Sequence, residues 1–96
     1  MSKVGTIVKL KVACLGNEAG TKGVVFYDYG DGSQAIFQNG NYDGFSETSI
    51  MPNGEIEADF FLEKVGFCDS LAGYQFKNVI MVEQDFRNGI FSEIWR

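Results

Sequence analysis

Apolar and polar positions alternate with a period of two along the first part of the chain. Over residues 5–14, Thr6, Val8, Leu10, Val12 and Cys14 interleave with Ile7, Lys9, Lys11 and Ala13. This is the pattern of a strand whose lysines mark its outer face. Residues 15–21, LGNEAGT, form a polar loop punctuated by glycines. Residues 22–46, KGVVFYDYGDGSQAIFQNGNYDGFS, predict three strands separated by two turns, with Tyr42–Ser46 as the last of them. Asp31-Gly32 and Asn39-Gly40 are each able to supply the two φ > 0 residues of a tight hairpin turn. Centring the first turn on Asp31 and Gly32 pairs Tyr29 with Gln34, Tyr27 with Ile36 and Phe26 with Phe37. Val24, Phe26, Ala35 and Phe37 then share a core face, while Val25, Tyr27, Tyr29, Gln34, Ile36 and Gln38 share a mixed one.

The pattern is less regular downstream. Residues 51–54 contain the chain's one proline and break it. Residues 55–65 admit two readings. With period two, Ile56, Ala58, Phe60 and Leu62 face inward. As a helix, Asn53 caps the start, acidic residues fill the first turn, Lys64 sits in the last and Gly66 follows as a stop. Helix-forming residues dominate, which favours the helix. Residues 69–73 read as an irregular turn. Residues 76–82, with Val79, Ile80 and Val82, predict a fifth strand buried on both sides. Asp85 is a candidate cap for a final helix in which Phe86, Ile90 and Ile94, then Phe91 and Trp95, recur at spacings of four.

A length of 96 residues with 45% hydrophobic content suits one domain with its own core. Thirteen acidic against eight basic residues leave a formal charge of −5. That balance opposes nucleic-acid binding, which needs Lys and Arg to neutralise phosphates, although Lys9, Lys11 and Lys22 are candidates for a local basic patch. Cys14 and Cys68 are far apart in apolar surroundings, and histidine is absent from the sequence, so a His/Cys zinc site lacks ligands. Two reduced thiols, and an N-terminus without an apolar signal core, give the expectation of a soluble, cytoplasmic protein outside any membrane.

The order of long strand, loop, strand beginning GxV, hairpin, short strand, helical insert and closing strand resembles an SH3-like barrel. VKLKV at residues 8–12, GTKGVV at residues 20–25 and the turns around Asp31 and Gly40 resemble the KOW class of small barrels. That resemblance covers a little under half the chain. It implies a five-stranded barrel with a helical insert before the last strand and a short C-terminal helix. It also implies contacts with RNA or the transcription apparatus, which the acidic balance opposes. FYDYGDG at residues 26–32 resembles the strand ending in DYG of Tudor domains, whose aromatic cages hold methylated Lys or Arg. The positions able to line such a cage are Tyr27, Tyr29, Tyr42 and Phe45. Aromatic residues are favoured on strands in any case. NGNYDGF loosely resembles CAP-Gly modules without the rest of their pattern. FLEKVGF and NVIMVEQDFRNGIF resemble segments of small bacterial and phage proteins, a likeness that implies no activity.

Catalytic constellations are missing from the sequence. No Ser–His or Cys–His pair can form without histidine, and neither a P-loop nor GxGxxG is present. Asp28, Asp31 and Asp43, with Glu47 near, could bind a divalent cation or do acid–base work, but turn formation explains them more simply. The reading that follows is a non-enzymatic interaction module for a protein or peptide, with no cofactor and no metal. Its expected binding residues are Tyr27, Tyr29, Asp31, Tyr42 and Phe45, with Asn17 and Glu18 from the first loop. Nucleic-acid binding through the first strand is the alternative, and a metal-dependent enzyme using the turn carboxylates is the third reading. The expected patch is the mixed face with Tyr27 and Tyr29. The competing expectation is that Phe91, Ile94 and Trp95 fold back over that face and make it a second core.

Overall fold

The computed structural model describes residues 2–96. Five strands form one antiparallel sheet: β1 (Thr6–Leu10), β2 (Lys22–Asp28), β3 (Gly32–Phe37), β4 (Tyr42–Ser46) and β5 (Leu62–Phe67), in the spatial order β4-β3-β2-β1-β5. β4 and β5 stand at the two ends of the order and do not pair, so the sheet is open. Helix α1 (Glu57–Phe61) precedes β5 and helix α2 (Val79–Arg87) follows it, with single 3-10 turns at Asp69–Leu71 and Ser92–Trp95.

The first hairpin departs from the expected register. Its turn is centred on Gly30 and Asp31, with Asp28 opposite Ser33 and Tyr27 opposite Gln34. Gly30 has φ 101° and Gly32 is not in the positive-φ region. Glycine with positive φ at the first central position is the type II′ arrangement, not the type I′ turn that Asp-Gly suggests. The second turn does place Gly40 at φ 87°. Its N–H donates to the Phe37 carbonyl at 2.9 Å, giving a three-residue loop.

A bulge in β2 shifts the pairing again: Val25 faces Ala35 while Tyr27 faces Gln34, leaving Phe26 without an opposite residue. The extra residue reverses the alternation. The expected face of Val24, Phe26, Ala35 and Phe37 is therefore divided. Val25, Ala35 and Phe37 join Val8, Leu10, Phe45 and Leu62 in an inner core, with Phe61 and Leu15 against it. Val24, Phe26 and Ile36 face the other way. There they meet Cys68, Leu71, Val82, Phe91 and Ile94 of the C-terminal segment. The central strands β2 and β3 are thus buried on both sides, and Phe91, Ile94 and Trp95 fold back over Val24, Phe26 and Ile36 while Tyr29 stays uncovered.

The strand expected at residues 76–82 is replaced by α2. Asn78 Oδ1 accepts from the Met81 N–H at 2.8 Å and caps its start. The helix ends where Gly89 N–H reaches the Phe86 carbonyl and Ile90 N–H the Asp85 carbonyl, a Schellman closure at Gly89 with φ 81°. Asp85 is therefore inside α2 rather than capping a later helix, and it accepts from the Tyr74 hydroxyl at 2.7 Å. Residues 55–65 contain both of the expected states in succession, α1 and then β5. Asn53 accepts from the Glu55 N–H instead of capping α1, and Gly66 lies in β5 opposite Ile7. Val65 occupies a bulge between the Gly66 and Lys64 pairings.

The β1–β2 loop is pinned to the second hairpin. Leu15 is held at φ 54°, and its carbonyl accepts from Asn39 Nδ2 at 2.8 Å and Asn41 Nδ2 at 2.7 Å. Asn17 Nδ2 donates to Asn39 Oδ1 at 3.1 Å. Cys14 and Cys68 are unpaired thiols. Among the described residues, no helix is long and apolar enough to cross a membrane.

Candidate functional site

The bulge and the type II′ turn carry Tyr29 past the end of the packed region of the hairpin. Tyr27 and Tyr29 remain neighbours, with ring centroids 6.3 Å apart, but their surroundings differ. Tyr27 is half-buried against Phe76 at 4.7 Å, whereas Tyr29 is 39% exposed. The Tyr29 ring lies across two glycines. A Cβ at Gly32 would stand 2.4 Å from its hydroxyl oxygen, and one at Gly44 would stand 3.0 Å from it. Side chains at those two positions would lift the ring away, so both glycines shape its seat.

Carboxylates surround that ring. Burial raises the Tyr29 pKa first, and the negative charges of Asp31, Glu57, Asp43 and Glu47 raise it further. Backbone N–H groups hold the carboxylates of Asp43, Glu57 and Glu47, and Asp31 is held through its main chain. The Asp31 carbonyl accepts from the Glu47 N–H at 2.8 Å. Asp43 Oδ1 accepts from the Gly44 N–H at 2.8 Å, and Glu57 Oε2 from the Ser46 N–H at 2.7 Å. Glu47 Oε1 accepts from the Ser2 N–H at 3.1 Å. Asp28 Oδ1 holds the Gly30 N–H at 2.9 Å and so sets the turn itself. Gln34, opposite both Tyr27 and Gly44, keeps its side-chain carbonyl buried without a hydrogen-bond partner.

The other expected residues are dispersed. Phe45 is 2% exposed and belongs to the inner core, against Phe37 and Phe61. Tyr42 meets Phe26 edge-on at 5.8 Å, and its hydroxyl donates to Glu83 Oε2 at 3.4 Å. Burial, then the Glu83 charge and hydrogen bond, raises its pKa. Tyr27, Tyr29, Tyr42 and Phe45 therefore do not converge on a cage, since Phe45 lies on the opposite face of the sheet. Asn17 is buried in the loop tied to Asn39, at the other end of β2 from Tyr29, and Glu18 lies beside it. Seven residues of strand, about 23 Å, separate those ends. Tyr29 and Asp31 are brought together. The sequence carries no signal that Glu57 joins this site, because it arrives from α1 through its bond to the Ser46 N–H. Among the described residues, no three His, Cys, Asp or Glu side chains are placed to hold a metal ion.

Comparison of the chain with family models, with curated proteins and with solved structures gives no match.

Proposed function

We propose that this protein is a non-enzymatic interaction module that binds a basic segment of a protein or peptide at the end of the β2–β3 hairpin. The observation that carries the reading is Tyr29, an exposed ring on a glycine seat surrounded by the charges of Asp31, Asp43, Glu47 and Glu57. A tyrosine offers rigid contact area at low entropic cost, and its face attracts a guanidinium or ammonium group. Carboxylates around it speed the encounter with a cationic partner and reject an anionic one. Asp31 is a rim contact in this reading, Tyr27 packs beside the ring, and Tyr42 and Phe45 act only through the two cores. The setting we propose is the cytoplasm.

We further propose that the domain is an SH3-like small barrel of the KOW-related kind, in an opened form. Support comes from the order of elements: four strands, a helical turn, then a closing strand that pairs with β1. Nucleic acid is the less favoured partner, because the Tyr29 surroundings repel phosphate.

Titration of the labelled protein with a lysine- and arginine-rich decapeptide, followed by backbone NMR, tests the function. Shifts confined to Tyr29, Asp31, Gly44 and their neighbours are expected, and they disappear in Tyr29→Ala but persist in Glu18→Gln. Shifts spread evenly over all acidic residues, or unchanged in Tyr29→Ala, would refute the site.

A further inference from the structure

We propose that the groove between the β1–β2 loop and the last residues of the chain is an oxyanion site suited to a phosphate dianion. It has a volume of about 200 Å³ and is lined by Gly20, Thr21, Lys22, Gln38, Trp95 and Arg96. In a chain with thirteen acidic residues, no carboxylate side chain lines this groove. Two of its six lining residues are cations. Lys22 is exposed, and neither its ammonium nor the Gln38 amide hydrogen-bonds or ion-pairs with a described residue. The Trp95 indole packs against Phe86, while its N–H has no acceptor among the described residues and is not buried. Arg96 keeps one contact, from Nη2 to Ser92 Oγ at 3.2 Å, which leaves most of its fork free.

A second feature reinforces the charge. Lys9 stands directly opposite Lys22 in the β1–β2 pairing, on the same face of the sheet. Like charges placed directly across strands destabilise a sheet; Glu63 faces Lys9 from β5 on the same side, so the charge left uncompensated is that of Lys22. An anion between Lys22 and Arg96 meets that charge. Guanidinium and ammonium donors form charge-assisted hydrogen bonds to phosphate oxygens, and an indole N–H adds a neutral donor. Lys22 and Arg96 also border an adjoining groove containing Asp69 and Glu93. There Glu93 Oε1 accepts from Ser70 Oγ at 2.6 Å, a bond that leaves its negative charge in place. The acids of the adjoining groove confine the anion to the side lined by Gln38 and Trp95. This site is separate from the Tyr29 surroundings and takes the opposite charge, so either reading stands or falls without the other.

The sequence has one tryptophan, so its indole N–H resonance reports on the groove alone. Inorganic phosphate is titrated into the protein with chloride adjusted to hold ionic strength constant. A saturable shift of the indole resonance is expected, with binding weakened about tenfold in Lys22→Gln and less in Lys9→Gln. Arg96→Gln provides a second test on a side chain at the margin of the fold, and melting curves check that each variant is folded. A shift that never saturates, that chloride alone reproduces, or that persists unchanged in both Lys22→Gln and Arg96→Gln overturns the site.

Discussion

Replacing Phe91 by alanine tests whether the C-terminal segment is an integral layer of the fold. Phe91 is 1% exposed, and its ring lies 6.5 Å from that of Phe26 and 5.2 Å from that of Tyr74. Truncating a phenylalanine at such a site costs about 3–5 kcal/mol, from lost transfer free energy and the cavity left behind. A domain of this size has about 5–15 kcal/mol of stability in all. The variant therefore stays folded in buffer but loses a large part of its margin. With a urea m-value of about 1–3 kcal/mol/M, the unfolding midpoint falls by roughly 1–5 M. A cycle with Phe26→Ala adds a coupling of about 0.5–1.5 kcal/mol if the two rings interact as the structure shows. A loss below about 1 kcal/mol would mean that residues 68–96 rest loosely on the sheet. The outer core would then have to be abandoned as a source of stability.

Two further outcomes are expected. Gly30→Ala lowers stability by about 1–2 kcal/mol because Gly30 sits at φ 101°, whereas Gly20→Ala, at φ 93° in open surroundings, separates the strain of the backbone from any effect on the hairpin; equal urea midpoints for Gly30→Ala and wild type would remove the type II′ turn. Burial, with the hydrogen bond and charge of Asp85, raises the Tyr74 pKa above its ordinary value of 10.0. The folded state thus holds this proton more tightly, so its contribution is fully present below pH 10 and is lost as pH rises towards the folded pKa. Melting temperatures taken across that range should fall less steeply for Tyr74→Phe than for wild type, and parallel curves would refute the assignment.

Strand content in the first half was legible because alternation and turn residues act locally. Tyr42–Ser46 occupies the predicted span, and Val8, Leu10, Val24, Phe26 and Phe37 are all buried as expected. Register was not legible. GDG offers two overlapping turns, Gly-Asp and Asp-Gly, and they differ by one step in pairing. Val24, Val25, Phe26 and Tyr27 are consecutive apolar residues, so alternation cannot arbitrate when both faces are covered. The bulge at Phe26 has no composition signal, since it depends on the packing of Phe26 and Tyr27 against one layer. Downstream, Val79 and Ile80 suggested a strand, but Asn78 as a cap and Val82 with Phe86 on one helical face outweighed that weak preference. Tyr29 was visible as an aromatic on the mixed strand face and Asp31 as a turn residue. Gly32, Gly44 and Glu57 were not, because their part in the site is a matter of distances across the sheet.

A sheet covered on both faces by one chain has a consequence for its biosynthesis. Val24, Phe26 and Ile36 belong to strands made early, while the residues that cover them, Leu71, Val82, Phe91 and Ile94, come from the last third of the chain. Translation at about 5–20 residues per second means that the outer layer is made a few seconds after the strands it covers. During that interval the nascent chain presents an apolar surface to its surroundings, and completion of the last dozen residues withdraws it. A ribosome stalled before Phe91 would therefore hold a product that calls for chaperone protection, although every strand of the sheet has already been made.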